Sequence, residues 1–311
     1  MRKIIWSHKR WLSKNFIKWC DEFSPDAIYL AFSDDVFILQ IALYLSIRYD
    51  KPIISQISDD YYFKKYPLIL KPYVHSYKKI FHRVMDRPGF NFYIFDNIAN
   101  KYNETFSKKG FPVYLGSDIV SSRRSSFLYE FNYFGKIDNG RAESLSLLGN
   151  ALHNISEDFY LNIYTDSSSK RELRLLKKSS GCILHKKVSY EEVTRIMGSG
   201  SFNVVASAFN KKRALDTKYS LSTKVADCLV CGSPFIAIGL PIDGAISYCM
   251  DNKCALILNN KDSILSDLKS KLYDSDFLEE IVKNAIETYQ KNHVKSDNYK
   301  KFERSVVELC R

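Results

Sequence analysis

Residues 218–239 contain the side chains best suited to chemistry in this chain. A polar turn ends in Ser222, Thr223 and Lys224, and the apolar residues that follow at helical spacing predict a helix. Ser222 or Thr223 can cap that helix, whose first N–H groups and dipole favour an anion together with the Lys224 ammonium. Asp227 lies one turn further on and could accept hydrogen bonds from the hydroxyls of a sugar. An anion beside a diol indicates a nucleoside diphosphate, and a capped, solvated helix with a surface lysine is the alternative.

Two acidic residues form a second candidate site. Asp59 and Asp60 come directly after the strand predicted over residues 52–57. Ligands of open α/β sheets bind beyond the carboxyl ends of the strands. The two carboxylates could therefore hold sugar hydroxyls, a metal or a proton in transfer. Capping of the next helix is an equally open interpretation.

The seven cysteines are scattered, and only Cys228 and Cys231 have C-x-x-C spacing. This pair falls inside the predicted helix, and no second pair follows at zinc-finger distance. We therefore expect buried, reduced thiols rather than a metal or redox site.

Apolar runs of strand length alternate with helix-length amphipathic stretches along the chain, which is typical of parallel α/β sheets. The predicted strands cover residues 27–32, 52–57, 91–95, 112–115, 127–137, 159–164, 181–184, 202–206, 234–238 and 254–258. The polar residues 116–126 form the best linker between two such domains. We therefore predict a first domain over residues 1–120, a second over 127–290 and a C-terminal helix over 291–311.

Composition and charge restrict the class of protein further. Of the 311 residues, 45% are hydrophobic and 26% charged, as in globular proteins, and no apolar run reaches the ~20 residues of a membrane span. The N terminus has no apolar segment of secretion-signal length, so the sequence predicts a cytoplasmic protein. The net charge of +11 suits nucleic acid, an anionic membrane or a phosphorylated substrate as partner.

Two segments are candidates for contact with a membrane. Residues 11–23 have an amphipathic pattern that predicts a helix packed on a sheet, with a membrane-surface helix as the alternative. Residues 64–87 are rich in lysine, arginine and tyrosine. A solvated helical face or contact with an anionic bilayer is favoured there over nucleic acid, because no RNA-binding signature accompanies the segment.

The motifs in the second half resemble those of a known family. The chain is similar to the C-terminal, donor-binding domain of GT-B glycosyltransferases in the order and spacing of Phe134-Gly135-Lys136, Arg141, Ser222-Thr223-Lys224, Asp227 and Gly232-Ser233-Pro234. The nearest resemblance is to the retaining family of bacterial polysaccharide and lipopolysaccharide enzymes. It covers residues 127–290 and, more weakly, 20–120. It implies an α/β fold of two Rossmann-like domains facing a cleft, with an incomplete N-terminal domain because few residues precede Ser24.

The resemblance also assigns roles to the candidate residues. It implies that the donor diphosphate is bound by Gly135, Lys136, Arg141, Ser222, Thr223 and Lys224. Asp227 takes the place of an acidic residue that binds the nucleotide ribose. Asp59 or Asp60 would be catalytic residues that orient the sugar or the acceptor. Because lysine and arginine side chains bind the diphosphate in this family, the resemblance implies that no metal ion is bound at the diphosphate.

Several positions depart from the family pattern, among them Arg141, which stands where the family has a lysine. Lys136 stands where the family has an arginine, whose guanidinium can contact a phosphate through two parallel hydrogen bonds. Tyr219 occupies the place of a first glutamate, so one nucleotide contact is missing or replaced. Ser58 stands where the family often has a histidine that touches the transferred sugar, so that contact is lost.

The implied activity is transfer of a sugar from a nucleotide-diphosphate sugar to a glycan or lipid-linked acceptor in cell-surface polysaccharide synthesis, such as lipopolysaccharide or capsule. The reaction would be retaining and metal-independent, and the nucleotide sugar is a substrate, so no cofactor is expected. A peripheral contact with the anionic inner face of the plasma membrane fits the basic charge, and nucleic acid is the least favoured partner. The alternatives are an inactive GT-B remnant that binds a membrane or glycan as a scaffold, and a nucleotide-sugar epimerase.

Overall fold

The computed structural model describes residues 5, 6, 8–119 and 127–310. The chain divides into two compact units, one formed by the residues up to Tyr114 and from Ser296 onward, the other by Leu115–Lys295. The first part of the predicted linker, 116–119, belongs to the second unit, and its remainder, 120–126, lies outside the described residues. None of the described helices has the length and hydrophobicity that crossing a bilayer requires.

Strands and helices follow one another along both halves of the chain. The strands are β1 (Ile28–Ala31), β2 (Ile53–Ile57), β3 (Asn91–Tyr93), β4 (Gly110–Pro112), β5 (Leu128–Phe134), β6 (Leu161–Thr165), β7 (Cys182–Lys186), β8 (Ser201–Ala206), β9 (Phe235–Ile238) and β10 (Leu256–Leu258). The helices are α1 (Lys14–Phe23), α2 (Val36–Tyr49), α3 (Lys71–Met85), α4 (Asp96–Thr105), α5 (Arg141–His153), α6 (Lys170–Lys177), α7 (Tyr190–Met197), α8 (Lys211–Asp216), α9 (Thr223–Val230), α10 (Gly244–Asp251), α11 (Ile264–Lys271), α12 (Ser275–Asn292) and α13 (Lys295–Cys310). Short 3₁₀ turns lie at Leu68–Leu70 and Lys261–Ser263.

A four-stranded parallel sheet in the order β1-β2-β3-β4 forms the centre of the first unit. Each strand lies beside the one that precedes it in sequence, and the register places Ile28 opposite Ile53. Helices make the crossovers, as parallel neighbours require. The aromatic side chains of Tyr77, Phe81 and Tyr102 are fully buried in this unit. The prediction of a parallel α/β arrangement is confirmed for this half.

The last strand of this sheet begins earlier than predicted. β4 covers Gly110–Pro112 rather than residues 112–115. A Cβ at Gly110 would lie 2.1 Å from the carbonyl oxygen of Asn91 on β3. Glycine is therefore required for this close approach of two backbones. The prediction was wrong because the contact joins residues far apart in sequence, and the local pattern carries no trace of it.

A six-stranded parallel sheet in the order β10-β9-β8-β5-β6-β7 forms the centre of the second unit. β6 and β7 follow one another on one side of β5, and β8 pairs with the other side of β5. β5 and β8 therefore flank the topological switch point of the sheet. Ligands of open α/β sheets bind in the crevice beyond the carboxyl ends of the strands at such a point.

Two helices of the second unit, α8 and α10, have only weak signals in the sequence. α8 has six residues, and α10 has eight and begins with Gly244 and Ala245. Neither is long enough to show an apolar stripe over several turns, which is the signal that identifies a helix in a sequence.

Candidate functional site

The loops that follow β5 and β8 meet at the switch point. A Cβ at Gly140, which precedes α5, would lie 2.9 Å from the Cβ of Ala208, which follows β8. The Ser144 hydroxyl on α5 donates a hydrogen bond of 2.6 Å to the carbonyl oxygen of Ser207. These contacts fix the N-terminal end of α5 beside the carboxyl end of β8.

Lys224 lies across Gly135, the residue that follows β5. A Cβ at Gly135 would lie 2.8 Å from Cε and 2.9 Å from Nζ of Lys224. Gly135 has a φ of 125°, a conformation that side chains disfavour. The Lys224 ammonium also lies 5.6 Å from the centre of the Tyr133 ring, within the range of a cation–π contact. The structure thus brings together two residues that the sequence placed in the same predicted site, 135 and 224.

The charge of Arg141 acts on the Lys224 ammonium. Burial lowers the pKa of the Lys224 ammonium, and the charge of Arg141 lowers that pKa further. Arg141 also acts on Tyr133, although burial dominates there and raises the pKa of the phenol to about 12. Within the part of the chain that the structure describes, neither Lys224 nor Arg141 makes an ion pair with a carboxylate. Like charges held close together and partly desolvated favour an anion between them.

The N-terminal end of α9 adds to this positive field. Ser222 is the N-cap residue with an extended backbone, but its side chain makes no capping hydrogen bond. The expected side-chain cap is therefore absent at Ser222, and the first turn closes through the main chain, where the Val225 N–H donates to the Ser222 carbonyl at 3.0 Å. Thr223 is the first helical residue and is exposed. The first N–H groups of a helix have no partner within the helix and are available to an anion.

Asp227 has a partner that the sequence did not reveal. The Ser117 hydroxyl donates a hydrogen bond of 2.6 Å to Oδ1 of Asp227. Burial raises the pKa of the Asp227 carboxyl, while Ser117 and Lys224 act in the opposite direction. Ser117 lies in the stretch predicted as linker, so nothing in its local sequence marked it as part of the site. The other carboxylate oxygen, Oδ2, makes no hydrogen bond to the described residues.

Lys136 differs from the other predicted diphosphate residues. Its side chain is exposed, and its carbonyl oxygen accepts a hydrogen bond of 2.5 Å from the Tyr133 hydroxyl. This contact of the main chain helps to hold the turn after β5. The structure does not bring the Lys136 side chain into contact with Lys224 or Arg141, so its role at a diphosphate stays a prediction.

A buried aspartate that the sequence analysis missed supports the loop before α9. Asp243 caps α10 by accepting hydrogen bonds of 3.0 Å and 3.3 Å from the Ala245 and Ile246 N–H groups. The Ser207 hydroxyl donates to Asp243 at 2.5 Å, and the Thr217 hydroxyl donates to the same oxygen. An aspartate followed by small residues after a buried strand is a capping signal that could have identified it. The network ties the end of β8 to the segment that leads to α9.

The two acidic residues after β2 have different environments in the first unit. Oδ1 of Asp60 accepts hydrogen bonds from the Tyr62 N–H at 3.1 Å, the Phe63 N–H at 2.8 Å and the Tyr102 hydroxyl at 2.9 Å. Asp59 is exposed and hydrogen-bonded to the Tyr61 hydroxyl, whose pKa is raised to about 12 by burial and by the Asp59 charge. Asp60 therefore organises a turn through Oδ1, but no helix begins at this turn, so Asp60 is not a helix cap. Asp59 is the more accessible carboxylate.

This difference leads to a test by alanine substitution. Asp60→Ala is expected to lower the free energy of unfolding by about 1–3 kcal/mol, because buried N–H and O–H donors lose their acceptor. Asp59→Ala is expected to change it by less than about 0.5 kcal/mol, as an exposed substitution does. Urea unfolding of both variants measures the two values. Equal stability of the two variants would contradict the structural role given to Asp60.

The thiols of Cys228 and Cys231 are buried in α9 and at its end, and neither is in a disulfide. Burial raises the pKa of both thiols, so they remain protonated at neutral pH. No group of three or more His, Cys, Asp and Glu side chains suited to a metal occurs among the described residues. The pair thus has the environment of core residues.

Comparison with known proteins identifies the fold. No family model matches the chain, and no curated protein matches it in sequence. Three solved structures match it closely in three dimensions. HepE from Anabaena in complex with UDP has a TM-score of 0.71 at 10% identity, over 94% of this chain and 81% of HepE. Sucrose-phosphate synthase from Thermosynechococcus elongatus has a TM-score of 0.70 at 10% identity, over 94% of this chain and 76% of the synthase.

The third structure is TarM, with a TM-score of 0.63 at 12% identity over 93% of this chain. The chain spans 57% of the length of TarM. A structure of a TarM variant from S. aureus contains UDP together with Fondaparinux and α-GlcNAc-glycerol. At these identities the similarity concerns the fold. All three are GT-B glycosyltransferases, and the chain therefore has the GT-B fold, as the resemblance of its motifs predicted.

Proposed function

We propose that this chain is a glycosyltransferase that moves a sugar from a nucleotide-diphosphate sugar to a glycan or lipid-linked acceptor. The observation that carries the proposal is the placement of Lys224 over Gly135, beside Arg141, at the N-terminal end of α9. Two cations without a carboxylate partner among the described residues, next to free helix N–H groups, form a site for a polyanion. A diphosphate is the polyanion that fits a site built from both a helix end and two separate cations.

The same residues would supply the catalytic effect. When the bond between the sugar and the diphosphate breaks, negative charge grows on the leaving diphosphate. Lys224 and Arg141 would stabilise that charge, and Lys224 already lies across Gly135 before the reaction begins. Groups fixed in advance and partly shielded from water are the ones that stabilise a transition state most. In this proposal the two side chains replace a metal ion at the diphosphate.

Asp227 would bind the ribose of the nucleotide. It lies one turn after Lys224 on α9, and its Oδ1 accepts the Ser117 hydrogen bond. The second oxygen, Oδ2, is the group that would accept a ribose hydroxyl. Because burial raises the pKa of Asp227, protonation at acidic pH would remove an acceptor and weaken nucleotide binding.

The related structures and the net charge support a proposal for the nucleotide and the setting. HepE and the TarM variant were solved with UDP, so we propose that UDP is also the nucleotide of the sugar donor of this chain. Retention of configuration, with Asp59 or Asp60 orienting the sugar or acceptor, belongs to the same proposal. The proposed pathway is cell-surface polysaccharide synthesis, lipopolysaccharide or capsule, at the inner face of the plasma membrane, to which the net charge of +11 would attract the protein.

A second candidate function is that of an inactive, binding-only GT-B protein. The observation in its favour is that Oδ1 of Asp60 is engaged by three donors and therefore serves the fold. The two candidates differ in turnover. A transferase consumes a UDP-sugar only with acceptor present, apart from slow hydrolysis, while a scaffold consumes none and an epimerase converts the donor alone.

Calorimetric titration with UDP, GDP, ADP and CDP tests the donor site. We expect a clear preference for UDP, and a loss of affinity of about 10-fold or more in Asp227→Asn, since hydrogen bonds to charged groups contribute about 1.5–3 kcal/mol. The matched control is Asp276→Asn on α12, an exposed position that should leave the affinity unchanged. A folded chain that binds none of the four nucleotides would refute the donor site.

A further inference from the structure

The 3₁₀ turn at Leu68–Leu70, called the apolar turn below, exposes three large aliphatic side chains in a row. Leu68 is 75% exposed, Ile69 is 88% exposed and Leu70 is 41% exposed. Ile69 is the most exposed large apolar side chain among the described residues. Scattered apolar residues on a surface need no explanation, but a contiguous apolar protrusion marks a site of interaction.

The charge around the apolar turn has a single sign. Residues 61–85 contain six lysines and arginines and no aspartate or glutamate. Lys64, Lys65 and Lys71 flank the turn on both sides in sequence, and all three are exposed. None of the three makes an ion pair with a carboxylate in the described part of the chain. The turn is therefore an apolar tip with unneutralised cations at its base.

Hydrogen bonds lie on both sides of the tip. The Tyr66 hydroxyl donates to the Tyr61 carbonyl at 3.2 Å, and the Leu70 N–H donates to the Pro67 carbonyl at 2.9 Å. On the other side, the Tyr73 hydroxyl donates to the Asp34 carbonyl at 2.6 Å. The Tyr73 contact thus joins the segment to a distant residue of the first unit and the Tyr66 contact closes the loop locally, while the aliphatic side chains between them are exposed.

We propose that the apolar turn is a bilayer anchor, which inserts Leu68, Ile69 and Leu70 among the acyl chains of an anionic leaflet. Lys64, Lys65 and Lys71 then lie at the depth of the phosphate headgroups. An anionic leaflet presents charge above and hydrocarbon below, and the turn matches that order with cations at its base and aliphatic groups at its tip. A protein partner would need an apolar cavity surrounded by carboxylates to bind this turn. An anionic bilayer supplies both the apolar region and the negative charge, so the basic charge favours lipid as the partner. The inference concerns where the protein binds and is independent of the donor site.

Helix α1 is the competing membrane surface. Trp19 and Phe23 are 62% and 69% exposed, so the aromatic face of α1 is not packed on the sheet as predicted. Trp11 and Cys20 are the buried residues of this segment and account for its packing. The charges on α1 are mixed, with an ion pair of 3.7 Å between Lys18 and Glu22. Mixed charge gives no preference for anionic lipid, and α1 therefore provides the comparison in the experiment.

Flotation of the whole chain with lipid vesicles tests the anchor. Wild-type protein should bind vesicles of equal parts phosphatidylglycerol and phosphatidylcholine at least ~10-fold better than phosphatidylcholine alone, and added salt should weaken the binding. Ile69→Asp should lower binding to the anionic vesicles by ~10-fold or more, because a carboxylate would enter the hydrocarbon. Ile47→Asp on α2, also an exposed isoleucine, is the matched control and should bind like wild type.

Several outcomes would overturn the anchor. They are equal binding of Ile69→Asp and wild type, equal binding to both kinds of vesicle, and a loss in Trp19→Ser as large as that in Ile69→Asp. Thermal melting of each variant shows that it is folded, and titration with UDP in the absence of lipid reports on the donor site separately. Ile69→Asp that floats poorly but binds UDP like wild type supports the anchor. Failure of wild type to bind UDP would refute the donor site without affecting the flotation result.

Discussion

Lys224→Met is expected to lower the rate of sugar transfer by about 10²–10³-fold, the effect of removing one preorganised group that stabilises developing charge. Methionine keeps most of the aliphatic length of lysine and removes the ammonium that lies over Gly135. Affinity for UDP should fall with the rate, because the same ammonium would contact the diphosphate in the bound substrate. Steady-state kinetics and calorimetric titration measure the two losses.

Lys224→Met should lose activity but should be as stable as the wild-type protein or more stable. In the folded protein, burial and Arg141 lower the pKa of Lys224 below its ordinary value of 10.5. The unfolded chain therefore binds the proton more tightly, and the folded state is disfavoured while Lys224 is charged. Wild-type stability should rise with pH as Lys224 loses its proton, with the gain complete above about 10.5. Lys224→Met should melt at the same temperature as wild type or higher at neutral pH, and this part of the pH dependence should disappear.

The matched control is Lys177→Met, an exposed lysine at the end of α6. It should change neither UDP affinity nor turnover, and it corrects for a general effect of lower positive charge. Unchanged turnover in Lys224→Met would remove Lys224 from the site. A lower melting temperature would show instead that the ammonium stabilises the fold, in contradiction to its lowered pKa.

The architecture was accessible from the sequence because its signals are local. Buried parallel strands are continuous apolar runs such as residues 234–238, and β9 lies within that run. Lys224 was also recognisable, since a polar turn, a lysine and an apolar helical pattern stand next to each other in the chain. A local pattern can predict that a helix begins at this point and that an anion would be favoured there.

The contacts of the site were not accessible because they join distant residues. Gly135 and Lys224 are brought together by the pairing of β5 with β8, and a strand order cannot be derived from periodicity. The Ser117 hydrogen bond to Asp227 spans 110 residues and starts in a stretch that looks like a linker. The Tyr102 hydroxyl donates to Asp60 across 42 residues, and no local pattern predicts that contact. In each case the chemistry of the residue was visible and its partner was not.

Gly135→Ala is expected to weaken UDP binding by about 10-fold or more while Lys224 itself remains present. The new Cβ would lie 2.8 Å from Cε of Lys224, closer than side-chain atoms approach. The flexible end of the Lys224 side chain can avoid this clash by moving away. Its ammonium then no longer lies at the end of β5. Alanine at a φ of 125° adds backbone strain of about 1–3 kcal/mol, so the melting temperature should also fall. The matched control is Gly198→Ala, a glycine with a helical φ of −80° that alanine can adopt, whose new Cβ would lie 3.2 Å from the Thr194 carbonyl oxygen and far from the Lys224 ammonium in sequence.

A double substitution separates the two effects of this alanine. Strain acts on stability whether or not residue 224 is a lysine, whereas displacement of the ammonium matters only when lysine is there. In the Lys224→Met background, Gly135→Ala should therefore still lower the melting temperature but cause no further loss of UDP affinity. Additive losses of affinity would mean that Gly135 serves the nucleotide on its own, through close approach of its backbone to a phosphate. Non-additivity would establish that the glycine is required because the lysine must lie across it, a relation that neither residue reveals alone.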